Sequence, residues 1–283
     1  MNGIVSINKP KGWTSRDVVN KVRNVLHEKS AGHMGTLDPQ GEGVLLVGIG
    51  KGTRLFDVFL KKDKVYRADF AFGYETDTLD GDGQVTSRTS VVPSLSEIEK
   101  TLPEMLGDIM QLPPIYSAKN VGGVRAYELA RKGVSVDLKP SLVSIYSIDI
   151  EKYEDGVLTI RVHCSAGTYI RSICRDLAYK LNTLATMTSI TRLRAGSFKI
   201  EDSVTVDELI SLGEKAVISL DEALKDFPKY LVCDEDYDRL SNGIKLDVEA
   251  DFSEPFTVYC RSELFGLGEI VDKKLKIKTY LKG

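Results

Sequence analysis

Cysteine is scarce in this 283-residue chain: Cys164, Cys174, Cys233 and Cys260 are the whole supply. None forms a C-x-x-C pair and no histidine stands at ligand spacing from them, which excludes both a disulfide framework and a zinc site. Buried, reduced thiols are the expectation. Histidine is scarcer still, with only His27, His33 and His163, too few to define a Ser-His-Asp or Cys-His order. Long apolar runs are also missing. A stretch such as Val44 to Val47 falls far short of the roughly 20 residues that a bilayer span requires, so no membrane partner is expected. The opening Met1-Asn2-Gly3-Ile4-Val5 lacks the basic flank and apolar core of a secretory signal, and a cytoplasmic address is expected.

Net charge is low as well, at −3, but it is unevenly spread. Residues 1–67 carry 12 Lys and Arg against 6 Asp and Glu, whereas residues 201–283 carry 11 against 19. A basic front and an acidic rear are compatible with one phosphate-facing surface. The length exceeds the usual single domain, and 42% hydrophobic residues are enough for a sizeable core without crosslinks.

The apolar pattern predicts a short strand at Gly3–Pro10 and a helix capped by Thr14 or Ser15, with Val18, Val19, Val22, Val25 and Leu26 on one face. Val44–Gly48 reads as a buried strand and Lys64–Gly73 as an alternating one. A helix starts at Ser94 or Ser96 and runs to about Met105, and another runs from Ala126 to Lys132 and stops at Gly133. Segments 142–150 and 157–164 form an antiparallel pair about Asp155-Gly156, and Thr168–Leu181 is a strong helix. Composition shifts near Phe227-Pro228 to short strand-like pieces, giving units at 1–228 and 229–283.

Several nucleotide and metal motifs are incomplete. Gly48-Ile49-Gly50-Lys51-Gly52-Thr53 lacks the third glycine of a dinucleotide loop and the hydroxyl residue of a P-loop, so it reads as a glycine turn. The acidic Asp77–Gly83 stretch puts threonines where a calcium loop needs Asp and Glu. One constellation stands out: Gly32-His33-Met34-Gly35-Thr36-Leu37-Asp38-Pro39-Gln40-Gly41-Glu42-Gly43, a glycine-studded loop offering one carboxylate and one imidazole. Pro39 biases Asp38 away from helix, and on spacing alone Asp38-Pro39 equally suits the start of a turn.

That loop resembles the G-H-x-G-x-L-D-P-x-A-x-G signature of the TruB family of tRNA pseudouridine synthases, with Gly41 in place of the usual Ala. Further ordered blocks carry the resemblance over about 170 residues: Lys9-Pro10-Lys11-Gly12-Trp13-Thr14-Ser15, Lys64-Val65-Tyr66, Thr76-Asp77-Thr78 with Asp80, Gln111 to Ala118, Arg125 to Gly133, and Gly167-Thr168-Tyr169-Ile170-Arg171. The resemblance implies an α+β pseudouridine synthase fold, a central mixed and mainly antiparallel sheet flanked by helices, with a small β-rich PUA-like RNA-binding module at the C-terminal end.

It also implies an isomerase acting on uridine 55 in the T arm of tRNA, without metal or cofactor and expected to be a monomer. Asp38 resembles the family's catalytic aspartate, and Arg171 its basic partner. Tyr66 resembles the aromatic that stacks on a flipped base, Tyr169 the second tyrosine, His33 the histidine that helps hold the extruded nucleotide, and Ile190 the pocket-lining Leu. Lys9, Lys64, Arg67, Asp80 and Lys119 are expected as weaker RNA contacts. Two departures stand out: Asn120 replaces the lysine of S-A-x-K, and Ile190-Thr191-Arg192 lacks one arginine of L-R-R.

The sequence leaves three roles open for Asp38: attack at C1′, attack at C6, or removal of a ribose proton. Tyr169 can use its ring face or its hydroxyl. Two other functions compete. One is a guide-RNA-dependent, dyskerin-like synthase, disfavoured because the chain ends soon after the module without a lysine-rich tail. The other is a non-catalytic tRNA-binding chaperone, disfavoured by the intact Asp38, Tyr66, Tyr169 and Arg171.

Overall fold

The structure is a computed structural model that describes residues 1–283 except 118, 122, 127, 128, 130, 131, 133, 135, 136, 251 and 253. The helix expected over Ala126–Lys132, with its stop at Gly133, falls largely on these positions and lies outside the described residues, as does the side chain of Asn120.

Among the described residues, thirteen strands precede residue 200: β1 (Gly3–Lys9), β2 (Ala31–His33), β3 (Glu42–Ile49), β4 (Lys64–Phe72), β5 (Tyr74–Thr76), β6 (Val85–Arg88), β7 (Gly107–Gln111), β8 (Asn120–Val121), β9 (Val124–Arg125), β10 (Ser141–Glu154), β11 (Val157–Cys164), β12 (Ala185–Ala195) and β13 (Phe198–Lys199). Nine of them form one sheet in the order β1-β3-β12-β4-β11-β10-β7, with β2 beside β3 and β13 beside β12. Every pairing is antiparallel except β3 with β12. That parallel contact sets Gly43 opposite Arg192. Gly43 has φ +97°, and a Cβ there would lie 2.2 Å from the Arg192 carbonyl oxygen, so only glycine admits this approach.

Local sequence explains the main elements. Thr14 caps helix Ser15–Leu26 through a reciprocal bond set with Asp17, a capping box, and Val18, Val19, Val22 and Leu26 are buried against β1 and β3 residues such as Val5 and Leu45. Asp155 (φ 50°) and Gly156 (φ 73°) turn β10 into β11 in the doubly left-handed conformation a two-residue hairpin requires. Helix Ile170–Lys180 starts after Tyr169, two residues later than the pattern suggested, because Tyr169 holds an extended backbone at φ −99°, ψ 111°. Its Ile170, Ile173, Cys174 and Leu177 pack on Phe70, Leu158, Ile160 and Val162 of the sheet. The Ser94-capped helix is shorter than expected. It gives way to a 3₁₀ turn at Leu102–Met105, where Pro103 cannot donate to the α-helical ladder. Strand β12, which inserts between β3 and β4, was not expected from the sequence at all.

Beyond Phe227, β14 (Lys229–Leu231), β15 (Leu246–Asp247), β16 (Phe256–Cys260), β17 (Glu263–Val271) and β18 (Lys274–Tyr280) form a second sheet in the order β14-β16-β17-β18-β15. Phe256, Val258, Phe265 and Leu275 give it a core of its own. Tyr259, Leu264, Leu267 and Leu281, however, share a cluster with Ile4, Leu46, Leu55 and Phe59 of the large sheet's side, so the two parts are joined through apolar packing. Among the described residues no helix is long and apolar enough to cross a membrane.

Candidate active site

Asp38 sits in a β-turn. Its carbonyl accepts from the Gly41 N–H at 2.9 Å, and Pro39 occupies the second turn position, where its fixed φ is favoured. The N-terminal block clamps this turn from both sides. The buried Ser15 hydroxyl donates to the Leu37 carbonyl and accepts from the Leu37 N–H, both at 2.9 Å. The Gly12 N–H donates to the Pro39 carbonyl at 2.8 Å, and the Lys9 ammonium reaches the same oxygen at 3.2 Å. Asp38 is thus flanked by two residues whose backbone is pinned, which fixes its direction.

Its carboxylate faces Arg171, a guanidinium 8% exposed at the first turn of helix Ile170–Lys180. Arg171 Nη2 lies 2.9 Å from Asp38 Oδ2 and donates to the Tyr116 carbonyl at 3.0 Å. Nη1 lies 3.1 Å from Asp80 Oδ2 and donates to the Thr78 carbonyl at 3.0 Å. The loop after β5 presents Asp80 by local bonds: Thr76 donates to its carbonyl at 2.7 Å and Thr78 to its Oδ1 at 2.5 Å. One planar fork therefore joins three chain segments to its helix, geometry that the point charge of a lysine cannot reproduce.

Two hollows flank this knot. The larger, about 900 Å³, is lined by Asp38, Arg171, Tyr66, Tyr169, His33, Ile190, Lys119 and Arg192 among others. The smaller, about 540 Å³, has Lys11, Arg16, Gln40, Asp80, Asp82 and Tyr116 on its walls. Asp38, His33, Ser117, Arg171, Met187 and Ile190 border both. The structure thus brings Asp38, Tyr66, Tyr169, Arg171, His33 and Ile190 around one cavity. Tyr66 projects from β4 opposite Arg192 of β12, and burial pushes its phenol pKa up. Tyr169 is anchored by Gln111, which accepts from its N–H at 2.8 Å and donates to its carbonyl at 3.1 Å. Burial, then the charge of Arg192, lowers the His33 pKa, and His33 Nδ1 is buried without a partner.

The weaker expectations fare differently. Asp80 belongs to the Arg171 knot, and Lys119 lines the large hollow, bonded to the Ser141 hydroxyl. Lys9 and Lys64 are both buried. Lys9 is 0% exposed and donates to the Pro10, Trp13 and Pro39 carbonyls. Lys64, 5% exposed, donates to those of Phe59, Leu60 and Lys62. Burial brings each ammonium pKa down to about 8. Both act as internal struts, and Lys64 also borders the large hollow. Arg67, as the neighbour of Tyr66 on β4, points to the opposite sheet face, where it pairs with Glu151 at 2.8 Å.

Arg192 was passed over in the sequence, where it registered only as the survivor of a shortened arginine run. Buried at 2%, it donates from Nε to the Val44 carbonyl at 2.7 Å and from Nη2 to the Gly35 carbonyl at 3.3 Å, with its guanidinium carbon 6.0 Å from the Tyr66 ring centre. Among the described residues no group of three or more His, Cys, Asp or Glu is arranged to hold a metal ion.

Known proteins match this chain over most of its length. Residues 23–170 match the TruB family pseudouridylate synthase (N terminal domain). The chain is 40% identical over 284 residues to tRNA pseudouridine synthase B of Clostridium kluyveri, covering 98% of each chain. It is 36% identical over 282 residues to the protein of that name from Solibacter usitatus, covering 96% of each. Among solved structures, a chain in an H/ACA RNP bound to a substrate RNA containing 2′-deoxyuridine superposes with a TM-score of 0.77 at 22% identity, over 99% of this chain and 85% of that one. The fold is that of the pseudouridine synthases.

Proposed function

Since the chain belongs to the TruB family of pseudouridylate synthases, we propose that it isomerises uridine 55 in the T arm of tRNA to pseudouridine, with Asp38 as the catalytic carboxylate. The observation that carries this reading is the Asp38 carboxylate, held through Oδ2 by Arg171 at 2.9 Å, in a cavity it shares with Tyr66 and Tyr169. The reaction breaks the N1–C1′ bond, joins C5 to C1′, and moves one proton from C5 to N1. Atoms and oxidation state are conserved, so the chemistry needs no redox partner.

What it does need is a nucleotide outside its stack, because the glycosidic bond is inaccessible within one. Tyr66 replaces the lost stacking, a contribution of about 1–3 kcal/mol for a base on an aromatic ring. Arg171 keeps Asp38 directed at the sugar and base, and preorganised charge of this kind acts without reorganisation during the reaction. Ile190 and Met187 close the cavity with apolar surface and oppose escape of the freed uracil. Lys11 and Arg16, on the wall of the smaller hollow, supply the positive charge that an RNA backbone seeks.

The test is incubation with unmodified tRNA transcript, followed by chemical mapping of pseudouridine. Pseudouridine at position 55, formed without added guide RNA and after exhaustive chelation, is the expected result. Binding without conversion would favour a chaperone, and conversion only with a guide RNA would favour the dyskerin-like reading. Either overturns the proposal.

A further inference from the structure

Buried polar side-chain atoms are nearly always hydrogen-bonded, and each exception calls for an explanation. Among the described residues only two such atoms lack a partner, His33 Nδ1 and Ser117 Oγ. Both residues border both hollows, as do Asp38 and Arg171. Ser117 is the more telling, because its residue is 3% exposed and its backbone is already engaged. The Ser117 N–H donates to the Ile115 carbonyl at 3.0 Å, and the preceding Tyr116 carbonyl accepts from Arg171. The hydroxyl is thus held beside the catalytic carboxylate by the guanidinium that holds the carboxylate itself, yet it bonds to nothing.

A hydroxyl left in this state costs free energy in the empty protein, and a ligand group entering the cavity relieves that cost. We infer that the Ser117 hydroxyl is a substrate-binding group that hydrogen-bonds the extruded uridine nucleotide. A hydroxyl can both donate and accept, and the target nucleoside offers carbonyl, imide and ribose hydroxyl groups at the seam where Ser117 stands. The inference rests on the synthase reading and adds a residue to it.

Stability and turnover are predicted to move in opposite directions. Ser117→Ala removes a group that the free protein leaves unsatisfied, so its Tm should stay level or rise by about a degree or two. With unmodified tRNA its kcat/KM should fall about tenfold, as expected for one lost hydrogen bond of about 1.4 kcal/mol. Ser117→Cys, which keeps a weak donor, should fall between alanine and wild type. Alanine turnover within twofold of wild type would overturn the inference. So would a Tm lowered by several degrees in step with activity, which would mark a structural partner. Wild-type conversion in the same assay reports separately on the reaction, so loss of the synthase reading and loss of the Ser117 role are distinguishable.

Discussion

The two faces of strand β4 handle charge in opposite ways. Toward the cavity stand Lys64 and Tyr66, and four cations of that side, Lys9, Lys64, Arg171 and Arg192, are buried and bonded to backbone carbonyls. Toward the other face stand Arg67 and Asp69, in cross-strand clusters. Glu151 pairs with Arg67 and with Arg161, each at 2.8 Å, and both arginines are about half exposed. Asp69 accepts from Thr159 at 2.7 Å and Ser189 at 2.6 Å. The lesson is that, in contrast to the exposed Lys11 and Arg16 on the wall of the smaller hollow, the buried cations near the site are architectural. They fix loops that carry chemistry, and breaking them leaves buried groups unsatisfied. Exposed pairs on the far face are solvated and individually weak.

The largest effect that would test this contrast is at its centre. Asp38→Asn keeps the shape of the turn and removes the charge. It should reduce kcat/KM at least about a thousandfold, while tRNA affinity stays within about tenfold. Normal turnover by this variant in single-turnover assays would refute the assignment of the carboxylate. Arg171→Leu should come next, costing activity about a hundredfold or more and also destabilising the fold by about 1–3 kcal/mol, because the largely buried Asp80 and the Thr78 and Tyr116 carbonyls lose their shared donor. Arg171→Lys should recover little of either, since four bonds to three segments need the fork. If lysine restored activity in full, the guanidinium geometry would be irrelevant.

How much of this was legible in the sequence follows the same contrast. The Asp38 loop, the Thr14 cap and the Asp155-Gly156 turn were readable because each is a local device whose residue types fix its geometry. The site residues Tyr66, Tyr169 and Arg171 were readable only through ordered motif blocks, which named them together without showing why they meet. What stayed hidden was burial. Lys9 and Lys64 look like phosphate ligands in a basic segment, and nothing local reveals that carbonyls surround them. Strand β12 stayed hidden because bulges after Met187 and Arg192 break the two-residue alternation that marks a strand. Arg192 and Ser117 act through residues distant in sequence, Val44 and Gly35 for one and the cavity for the other.

Lys64 offers a pH-resolved test of the cavity side. Its pKa is about 8 in the folded protein and about 10.4 in an unfolded chain. Below pH 8 both states hold the proton, and the difference in unfolding free energy between wild type and Lys64→Met should be constant. Between about pH 8 and 10.4 only the unfolded chain holds it, so wild type should gain stability relative to the variant as pH rises. Denaturant titrations of both proteins across that range measure the difference. A flat difference would show that the ammonium is solvated.

The smallest effect belongs to the far face and is the sharpest control. Glu151 carries both arginine pairs there, and Arg67 followed by Arg161 holds its carboxyl pKa below the usual value. Glu151→Gln removes the charge and keeps hydrogen-bonding capacity. Because the partners are about half exposed, stability should fall by no more than about 1 kcal/mol, and less in high salt. Release of Arg67 and Arg161 adds free positive charge to that face, so the direction of any change in tRNA affinity is informative. Unchanged kcat/KM and affinity place the RNA on the cavity side alone. A salt-sensitive gain in affinity would show that RNA also reaches across β4 to the far face, and the division between architectural and solvated cations would then no longer coincide with the division between the two faces.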